Sequence, residues 1–513
     1  MHVRPGAIAL VVAAAVVAVV ALLPLGQTVA RALTVSPADA AALLFRPVVG
    51  ELLANTLLLV TGATVCCGAI GLFAAWAVER VEVPARPLMA GLFAAPLAVP
   101  AFISSYAWVS ISPLFEGYWG SLLVVTCAYF PLVYLPVSAA FRGLDRMQED
   151  SARALGVGGV AAFVRVVLPQ LAPALLGGML LVALDTLVEF GALSLLRFRT
   201  FTTEIYAEYK VGFNAPQASL LSLVLVALCL AFIVAEARLA GQGRPQRTGS
   251  GRRSVPAPTR RFRWLAFAIG IAVLSASLGV PIGMICFWLL RHNASAVSPA
   301  AASPALLGSA TLYSVALGAA GAVATVILAT PIALLAVRHG RLGTLVQRLT
   351  FLTQGMPAIV TALALIALTV RNLWPLYQSP ALLILGYGVL FLPLAVVSLR
   401  ASFMQVAPQL EEAAQVLGLR WISVLSRVVL PLALPGIRAA LALVFIAVTT
   451  ELTATLLLAP IGVKTLATQI WADTSTLAFA AAAPYAALLT ALSAASTMLL
   501  RWRRAAKLDL AHV

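Results

Sequence analysis

The chain has 513 residues, of which 62% are hydrophobic and only 10% are charged, and its mean hydropathy is +1.01. A soluble protein carries about 25% charged residues, so this chain lacks the polar surface for several water-exposed domains and is predicted to be an all-α integral membrane protein. The net charge of +16 does not indicate nucleic-acid binding, because the arginines form short clusters between apolar runs rather than a basic stripe interleaved with aromatic residues.

About twelve apolar runs are long enough to form membrane-spanning helices, since a helix needs about 20 apolar residues to cross a bilayer. In chain order the runs are 6–24, 52–78, 87–110, 121–141, 171–192, 216–236, 264–290, 309–337, 350–370, 380–399, 436–458 and 476–500. The first run is interpreted as a retained helix. A cleaved signal peptide is the alternative, because small residues follow this run.

The distribution of lysine and arginine predicts which loops face the cytoplasm. With a cytoplasmic N-terminus, 25 of these residues fall in inside segments and 8 in outside segments. Cytoplasmic loops carry the excess of positive charge in membrane proteins, so both termini are predicted to be cytoplasmic. Residues 238–263, rich in Gly, Pro, Ser and Arg, are predicted to be a flexible basic cytoplasmic linker beside anionic lipid.

Neither the cysteines nor the histidines form a recognisable site. The five cysteines fall inside apolar runs without CxxC spacing, and the four histidines form no pair at metal-ligand spacing. We therefore expect no disulfide framework, no tightly bound metal and no other cofactor in this chain.

Residues that rarely match by chance recur at a nearly constant spacing in the two parts of the chain. The matches are Pro100 with Pro357 at an offset of 257; Gly156, Leu168, Pro169 and Glu189 with Gly418, Leu430, Pro431 and Glu451 at 262; and Thr203, Ile205 and Tyr206 with Thr468, Ile470 and Trp471 at 265. Two homologous halves of six spans each, 1–237 and 264–513, are therefore predicted. An even number of spans makes the repeats parallel, with a pseudo-two-fold axis along the membrane normal and a solute route where the halves meet.

The most specific repeated feature is a loop between the fourth and fifth spans of each half, at about 142–170 and 400–435. Each copy has acidic residues, small residues and then a glycine, within Glu149–Gly156 and Glu411–Gly418, and a Leu-Pro pair follows twelve residues later. The pattern predicts a short helix with acids in its first turn and a glycine at its end. A second amphipathic stretch follows, and the proline is predicted to open the next membrane helix.

Both loops resemble the EAA loop in the membrane subunits of binding-protein-dependent ABC importers. The second copy matches the family pattern closely, whereas the first has aspartate at the glutamate position and serine at the first alanine. The resemblance implies a type I importer permease fold and a coupling helix that sits in a groove of a cytoplasmic ATPase. By this resemblance the coupling residues are Glu149, Asp150, Ala152, Gly156, Glu411, Glu412, Ala413, Ala414 and Gly418.

The fused arrangement of two halves is similar to the ferric-ion permeases, with the thiamine permeases as close relatives. The strings that carry this likeness are Glu189–Gly191 and Phe201–Tyr206, and in the second half Glu451–Leu458 and Thr465–Thr468. The likeness implies a bacterial cytoplasmic membrane, an extracytoplasmic binding protein and two copies of an ATPase subunit. No Walker A pattern occurs in the chain, so ATP hydrolysis is expected in that separate subunit and the chain itself is not expected to be an enzyme.

Three acidic residues, Asp185, Glu189 and Glu451, fall within the predicted spans and are candidates to line the passage. Ferric ion is a hard cation that prefers oxygen ligands, so these acids are interpreted as an electrostatic lining or gate rather than a storage site. The alternative is that the two glutamates cap or hydrogen-bond a broken helix near the membrane surface.

Other functions remain open at this point. Within the ABC class the runner-up is a thiamine permease, or one for polyamines or phosphonates. A secondary transporter driven by an ion gradient would need paired intramembrane acids and no ATPase, and the duplicated loop argues against it. A membrane scaffold would show no solute-dependent stimulation of an ATPase.

Overall fold

A computed structural model describes residues 5–144, 147–240, 262–291 and 303–509 of the chain. The regular structure of these residues is helical, and the predicted linker at 238–263 lies mostly outside them. The α-helices are α1 Pro5–Ala32, α2 Pro37–Leu44, α3 Pro47–Arg80, α4 Arg86–Leu92, α5 Ala101–Ile111, α6 Tyr118–Gly143, α7 Met147–Ala154, α8 Gly159–Ala162, α9 Leu168–Val188, α10 Gly191–Leu195, α11 Phe201–Lys210, α12 Ala215–Ala240, α13 Arg263–Leu274, α14 Val280–Leu290, α15 Pro304–Arg338, α16 Gly340–Phe351, α17 Ala358–Asn372, α18 Pro380–Leu390, α19 Leu392–Phe403, α20 Pro408–Val416, α21 Trp421–Val424, α22 Leu430–Thr449, α23 Thr453–Leu458, α24 Leu466–Ser475 and α25 Phe479–Asp509.

Short turns of other helix types connect several of these elements. The 3₁₀ turns are Ala95–Ala98, Pro113–Phe115, Leu352–Gly355 and Trp374–Leu376. The π-helical segments are Phe163–Val167, Ser275–Gly279 and Leu425–Val429.

Nine helices of the described residues are long and apolar enough to cross a membrane, and two bent helix pairs bring the number to 11. The nine are Ile8–Ala32, Pro47–Arg80, Tyr118–Gly143, Gly159–Val188, Ala215–Ala235, Arg263–Leu290, Pro304–Arg338, Trp421–Thr449 and Phe479–Ser496. The bent pairs, Arg86–Ala98 with Ala101–Ile111 and Pro380–Leu390 with Leu392–Phe403, turn by 90° and 58°. Together with the shorter apolar helix Ala358–Asn372, each run predicted from the sequence has a helical counterpart, and the all-α membrane fold is confirmed.

Proline sets the position of the breaks in the third span of each half. Helices α5 and α17 begin directly after Pro100 and Pro357, which adopt extended backbone angles as N-cap residues. A residue that precedes proline is disfavoured from the helical region, so the preceding helix cannot run through this point. The two prolines matched in the sequence repeat thus have the same structural role.

The described chain divides into two compact units, and the first contains Met1–Leu43, Ile205–Val226 and Ser295–Val513. In this unit α1 packs against α15 and α17, and α15 also packs against α19 and α22. Alanine and branched aliphatic residues fill its core, among them Ala14, Ala329 and Val444, none of which is exposed to solvent.

The second unit contains Leu44–Glu204 and Ala227–Ala294. Helices α3, α6 and α9 pack against one another, and α14 packs against α5. Gly71 permits the close approach of α3 to α6, because a Cβ atom there would lie 2.6 Å from the Cβ of Val133. The buried core of this unit includes Phe93, Phe130 and Leu171.

The compact units group the chain differently from the halves predicted by sequence repetition. Helix α1 of the first half lies in the unit that contains α15–α25, and α13 and α14 of the second half lie in the unit that contains α3–α10. The repeat boundaries describe homology, whereas the units describe packing. In each unit, therefore, a helix from one half packs against the spans of the other half.

Candidate functional site

The repeated loop forms a short helix in each half, α7 and α20, with acidic residues in its first turn. Both helices end in the same way, because Gly156 and Gly418 each adopt a φ of +84°. The N–H of the next residue then reaches back to the helix: Val157 donates to the Ala152 carbonyl and Leu419 to the Ala414 carbonyl, each at 3.1 Å. This is a glycine-dependent helix end that satisfies carbonyls otherwise without partners.

The two neighbouring acids of each short helix point in different directions. Glu149 is 7% exposed, whereas Asp150 is exposed. Glu411 is half-buried, whereas Glu412 is exposed. Adjacent residues on a helix of 3.6 residues per turn lie about 100° apart, so one acid faces the protein while the next faces outward.

The inward-facing acids pair with arginines at the ends of long spans. Arg80, the last residue of α3, places Nη1 3.0 Å from Glu149 Oε2, and Arg153 braces the other oxygen at 2.6 Å. Arg338, the last residue of α15, pairs with Glu411 and also donates to the Val406 carbonyl at 3.3 Å. The same link therefore occurs in both halves.

Exposed apolar side chains flank the outward-facing acids. Leu155 and Leu417, which are equivalent in the repeat, are 85% and 83% exposed. Val160 and Ile422, also equivalent, are 81% and 73% exposed. Large exposed apolar side chains that occur together are typical of a protein–protein contact surface.

The stretch after each glycine differs from the sequence prediction. The proline was expected to open a new membrane helix, but one continuous helical span runs over Gly159–Val188 and another over Trp421–Thr449. A π-helical turn precedes each Leu-Pro pair, with Leu168 donating to the Phe163 carbonyl and Leu430 to the Leu425 carbonyl. Proline lacks an N–H and its ring clashes with the carbonyl four residues earlier, and the wider turn accommodates it without ending the helix.

Of the three candidate pathway acids, only Asp185 lies within a spanning helix. Glu189 follows the end of α9 directly, and Glu451 lies just beyond α22, so the expectation that both fall inside spans is corrected. Glu189 Oε1 accepts a hydrogen bond from Ala192 N at 2.8 Å, and Glu451 Oε1 accepts one from Ala454 N at 2.9 Å. Each glutamate thus caps the short helix after the break, α10 or α23, while its role in lining a passage stays a prediction.

Hydroxyl groups that the sequence analysis did not single out surround these glutamates. Tyr129 donates to Glu189 Oε2 at 2.5 Å, and Thr202 donates to the Glu189 carbonyl at 2.7 Å. In the second half Thr455 donates to the Glu451 carbonyl at 2.7 Å and shares a 2.7 Å hydrogen bond with Tyr387. A tyrosine in the middle of an apolar run was the signal available in the sequence.

A cleft too narrow to hold a water molecule adjoins Glu451. Its lining combines hydroxyl groups with apolar side chains: Ser314, Leu317, Tyr387, Val448, Thr449, Glu451, Thr455 and Thr465. The side chains around Glu451 therefore supply several oxygen atoms.

Helices α11 and α24 are equivalent in the sequence repeat. In each, one threonine lies just before the first residue of the helix and another lies in the first turn. Thr203 Oγ1 accepts a hydrogen bond from Thr200 N, and Thr468 Oγ1 accepts one from Thr465 N, both at 2.9 Å.

Asp473, further along α24, is a buried acid. It is 8% exposed, and its Oδ1 accepts a hydrogen bond from Gln469 at 2.9 Å. Burial raises the pKa of the Asp473 carboxyl above its usual value, while Gln469 and Lys464 act in the opposite direction.

Within the described ranges, His, Cys, Asp and Glu side chains form no group of three that could hold a metal ion. The free cysteines Cys67, Cys127 and Cys229 are buried, and Cys66 and Cys286 are more accessible. Among the acids described above, Glu149 and Glu411 form ion pairs, and Glu189, Glu451 and Asp473 accept hydrogen bonds.

A helical chain with two homologous halves, each with a short acidic helix before its fifth span, has the architecture of an importer permease. The family described as "Binding-protein-dependent transport system inner membrane component" matches residues 68–241 and 321–505, and the chain belongs to this family. The two matched segments confirm the duplication.

Similarity to one individual protein extends along almost the whole chain, and other relatives match part of it. The chain is 38% identical over 483 residues to the Fe(3+)-transport system permease protein FbpB 2 of Haemophilus influenzae, covering 93% of this chain and 95% of that protein. It is 28% identical over 235 residues to the sulfate transport system permease protein CysT of Salmonella typhimurium, covering 42% of this chain and 84% of that protein. It is 29% identical over 227 residues to a probable molybdenum ABC transporter permease protein of Haloferax volcanii, covering 42% and 82%. These relatives are named as transport permeases, and the latter two match only part of this chain.

Proposed function

We propose that the chain is the membrane subunit of an ATP-driven importer that passes ferric iron from an extracytoplasmic binding protein to the cytoplasm by alternating access. The observation that carries the proposal is the 38% identity to a Fe(3+)-transport permease over 93% of the chain. A match of this extent includes both halves, both short acidic helices and both capped breaks. Two copies of a cytoplasmic ATPase, one for each half, supply the energy.

The outward faces of α7 and α20 have the chemistry that docking to an ATPase requires. Asp150 and Glu412 offer a carboxylate, and Leu155 and Leu417 offer an exposed apolar side chain beside it. Small residues on the same helices, including Ala152 and Ala413, allow close approach of a groove wall. Glu149 and Glu411 contribute indirectly, because they face the protein's own arginines.

The solute route takes ferric ion past oxygen atoms that are held in place but do not form a metal-binding cluster. Each glutamate beside a helix break uses one carboxylate oxygen as a cap, which fixes its orientation. Hydroxyl groups of Tyr129 and Thr455 add further oxygen near Glu189 and Glu451. Loose contacts of this kind suit a transported ion, because tight ligation slows release.

The chain crosses the membrane several times. The bacterial cytoplasmic membrane is the proposed location, because the family is described as an inner membrane component and the loops between spans are basic. Both termini then lie in the cytoplasm, as the distribution of arginine predicts.

Affinity purification from native membranes in mild detergent, followed by mass spectrometry, is the first experiment. An ATPase together with a ferric-binding protein supports the proposal. An ATPase with a thiamine- or polyamine-binding partner would support the ATP-driven importer but would change the assigned solute. If no ATPase is captured even after crosslinking at Glu412, the ATP-driven assignment is wrong.

Reconstitution of the purified complex in liposomes then tests the cargo. Uptake of radioactive ferric iron is expected to require ATP, the ATPase and the binding protein together. Uptake that runs on an ion gradient without ATP would instead identify a secondary transporter.

A further inference from the structure

We propose that α3 and α15 act as rigid connectors that carry the movement of each coupling helix, α7 or α20, to the short helices α11 and α24 at the opposite ends of these spans. The Arg80–Glu149 and Arg338–Glu411 pairs are the joints at one end, and Thr56 and Ser314 form the joints at the other. These are positioning residues, and the inference rests on the proposed function of the chain as a permease.

The ion-pair joints are largely removed from solvent. The side chains of Arg80 and Glu149 are 10% and 9% exposed, and those of Arg338 and Glu411 are 18% and 19% exposed. Removing two charges from water carries a large desolvation penalty, so a buried ion pair is often no more stable than well-packed apolar residues. A pair placed at the same position in both halves is therefore better explained by a need for a directed link than by stability alone.

Additional contacts hold each arginine in place. The Arg80 guanidinium lies over the Phe141 ring of α6, 5.6 Å from its centroid. Arg338 donates to the Val406 carbonyl, which lies just before α20 begins. Each arginine therefore has a second contact besides its ion pair, and this contact restricts its rotation.

The far joints are hydrogen bonds between a buried hydroxyl and the first residue of a short helix. Thr56 Oγ1 of α3 accepts from Phe201 N of α11 at 3.4 Å. Ser314 Oγ of α15 accepts from Leu466 N of α24 at 2.8 Å. Thr56 and Ser314 are 3% and 2% exposed, so loss of either hydroxyl leaves a buried N–H without its acceptor.

The joints are equally far apart along the two connectors. Thr56 precedes Arg80 by 24 residues, and Ser314 precedes Arg338 by 24 residues. At 1.5 Å per residue, each pair of joints is separated by about 36 Å of continuous helix. Because a helix transmits displacement along its axis without a change in its internal hydrogen bonds, a shift of the coupling helix reaches the opposite end of the span.

The near joint in the second half is tested by separating stability from coupling. Arg338→Met leaves the half-buried Glu411 without its partner. Arg338→Met combined with Glu411→Gln removes both charges and restores stability without restoring the link. Arg338→Glu with Glu411→Arg restores an ion pair in the reverse sense. The matched control is Arg341→Met, which removes an exposed cation three residues further along the chain.

For each variant the thermal stability, the amount of co-purified ATPase and the iron imported per ATP hydrolysed are measured in the reconstituted complex. We expect Arg338→Met and the doubly neutral variant to lower import per ATP by about tenfold, with the ATPase still bound. The control and, in part, the charge-swapped variant are expected to keep the wild-type ratio. If the doubly neutral variant imports as much per ATP as the wild type, the ion pair is only structural and the inference is overturned.

Ser314→Ala tests the far joint with a change that disturbs packing little, and Thr311→Ala, one turn away on α15, is its control. Thr311 donates only to the Leu307 carbonyl of its own helix in the described contacts. We expect Ser314→Ala, but not Thr311→Ala, to lower import per ATP, again with normal ATPase binding. If Ser314→Ala leaves the iron imported per ATP unchanged, the proposal that α15 acts as a connector is wrong. If the wild-type complex does not bind an ATPase or import iron, the proposed function itself is wrong.

Discussion

Tyr206 and Trp471 meet edge to face, with ring centroids 6.1 Å apart and ring planes at 70°. The sequence repeat makes these two residues equivalent, and their helices share the pattern Thr-x-Ile-aromatic-Ala-acid over Thr203–Glu208 and Thr468–Asp473. A residue that touches its own equivalent is placed where the two repeats meet. The helices α11 and α24, each joined to a long span, are therefore in contact with each other.

The aromatic contact is expected to be a measurable interaction. Edge-to-face ring pairs contribute about 0.5–1.5 kcal/mol, so a double-mutant cycle of Tyr206→Ala and Trp471→Ala should give a coupling energy in this range. Thermal unfolding of the two single variants and the double variant measures it. Tyr206→Phe keeps the ring and should retain the coupling. A coupling energy of zero would show that the two rings are not in contact in the folded protein.

The glycines that end α7 and α20 are expected to be sensitive to the shape of a substituted side chain. A β-branched residue is costly at the φ of +84° that Gly418 adopts, whereas asparagine tolerates this region. Gly418→Val and the charged Gly418→Asp should uncouple ATP hydrolysis from uptake in a folded protein, while Gly418→Asn should retain much of the coupling.

Gly462 provides the control for this experiment, because it has a φ of +87° in a loop outside α7 and α20. A Cβ atom on either Gly418 or Gly462 would meet no atom within 4 Å. Gly462→Val carries a similar backbone cost and should leave the ratio of uptake to hydrolysis unchanged. Normal uptake by a well-expressed Gly418→Asp variant would contradict the assignment of α20.

The charge and the capping role of the two glutamates can be separated by substitution. Glutamine at Glu189 and Glu451 retains an oxygen for the N–H of Ala192 and Ala454, whereas alanine removes the cap at a cost of about 1 kcal/mol each. If the charges attract the cation, the double glutamine variant should take up iron about tenfold more slowly at unchanged thermal stability. Glu116→Gln is the control. Wild-type uptake by the double variant would leave capping as the only role.

Asp473 is expected to lower stability at neutral pH. Its pKa is raised by burial, so its contribution to stability is fully present below the pKa of the unfolded chain, about 3.9, and is lost as the pH rises through the folded-state value. Asp473→Asn, which stays neutral, should therefore unfold at a higher temperature than the wild type at pH 7 and at a similar temperature near pH 4. Glu51→Gln, at an exposed site, should show no such difference. A constant difference across pH would contradict a buried carboxyl as the cause.

The lengths of the apolar runs predicted the spans well, because a segment in lipid must satisfy its backbone hydrogen bonds internally, as a helix does. The same reasoning could not place the helix ends near Glu189 and Glu451. Apolar residues continue beyond both ends, and the break depends on a carboxylate that caps the next helix through a three-residue spacing. Hydropathy cannot distinguish a helix that continues from one that ends and restarts with a capping hydrogen bond.

The acids and glycines predicted the short helices α7 and α20, but they did not predict that neighbouring acids face different surroundings. Glu411 and Glu412 are chemically identical in the sequence, and only the position of Arg338 at the end of α15 separates them. That arginine is 73 positions away, so no local pattern indicates the pair. The π-helical turns before Pro169 and Pro431 were missed for a related reason, since proline is compatible with a helix start as well as with a widened turn.

The packing of α1 against α15 and α17 bears on how the protein is made. During synthesis Pro5–Ala32 enters the bilayer long before Pro304–Arg338 has left the ribosome. The first helix is therefore surrounded by lipid until α15 and α17 are inserted and pack against it. Its alanine-rich side, which includes Ala14 and Ala21, is buried only when those helices arrive. Assembly of this unit is therefore one of the last events in biogenesis, and a chain that stops after residue 240 leaves its first helix without its partners.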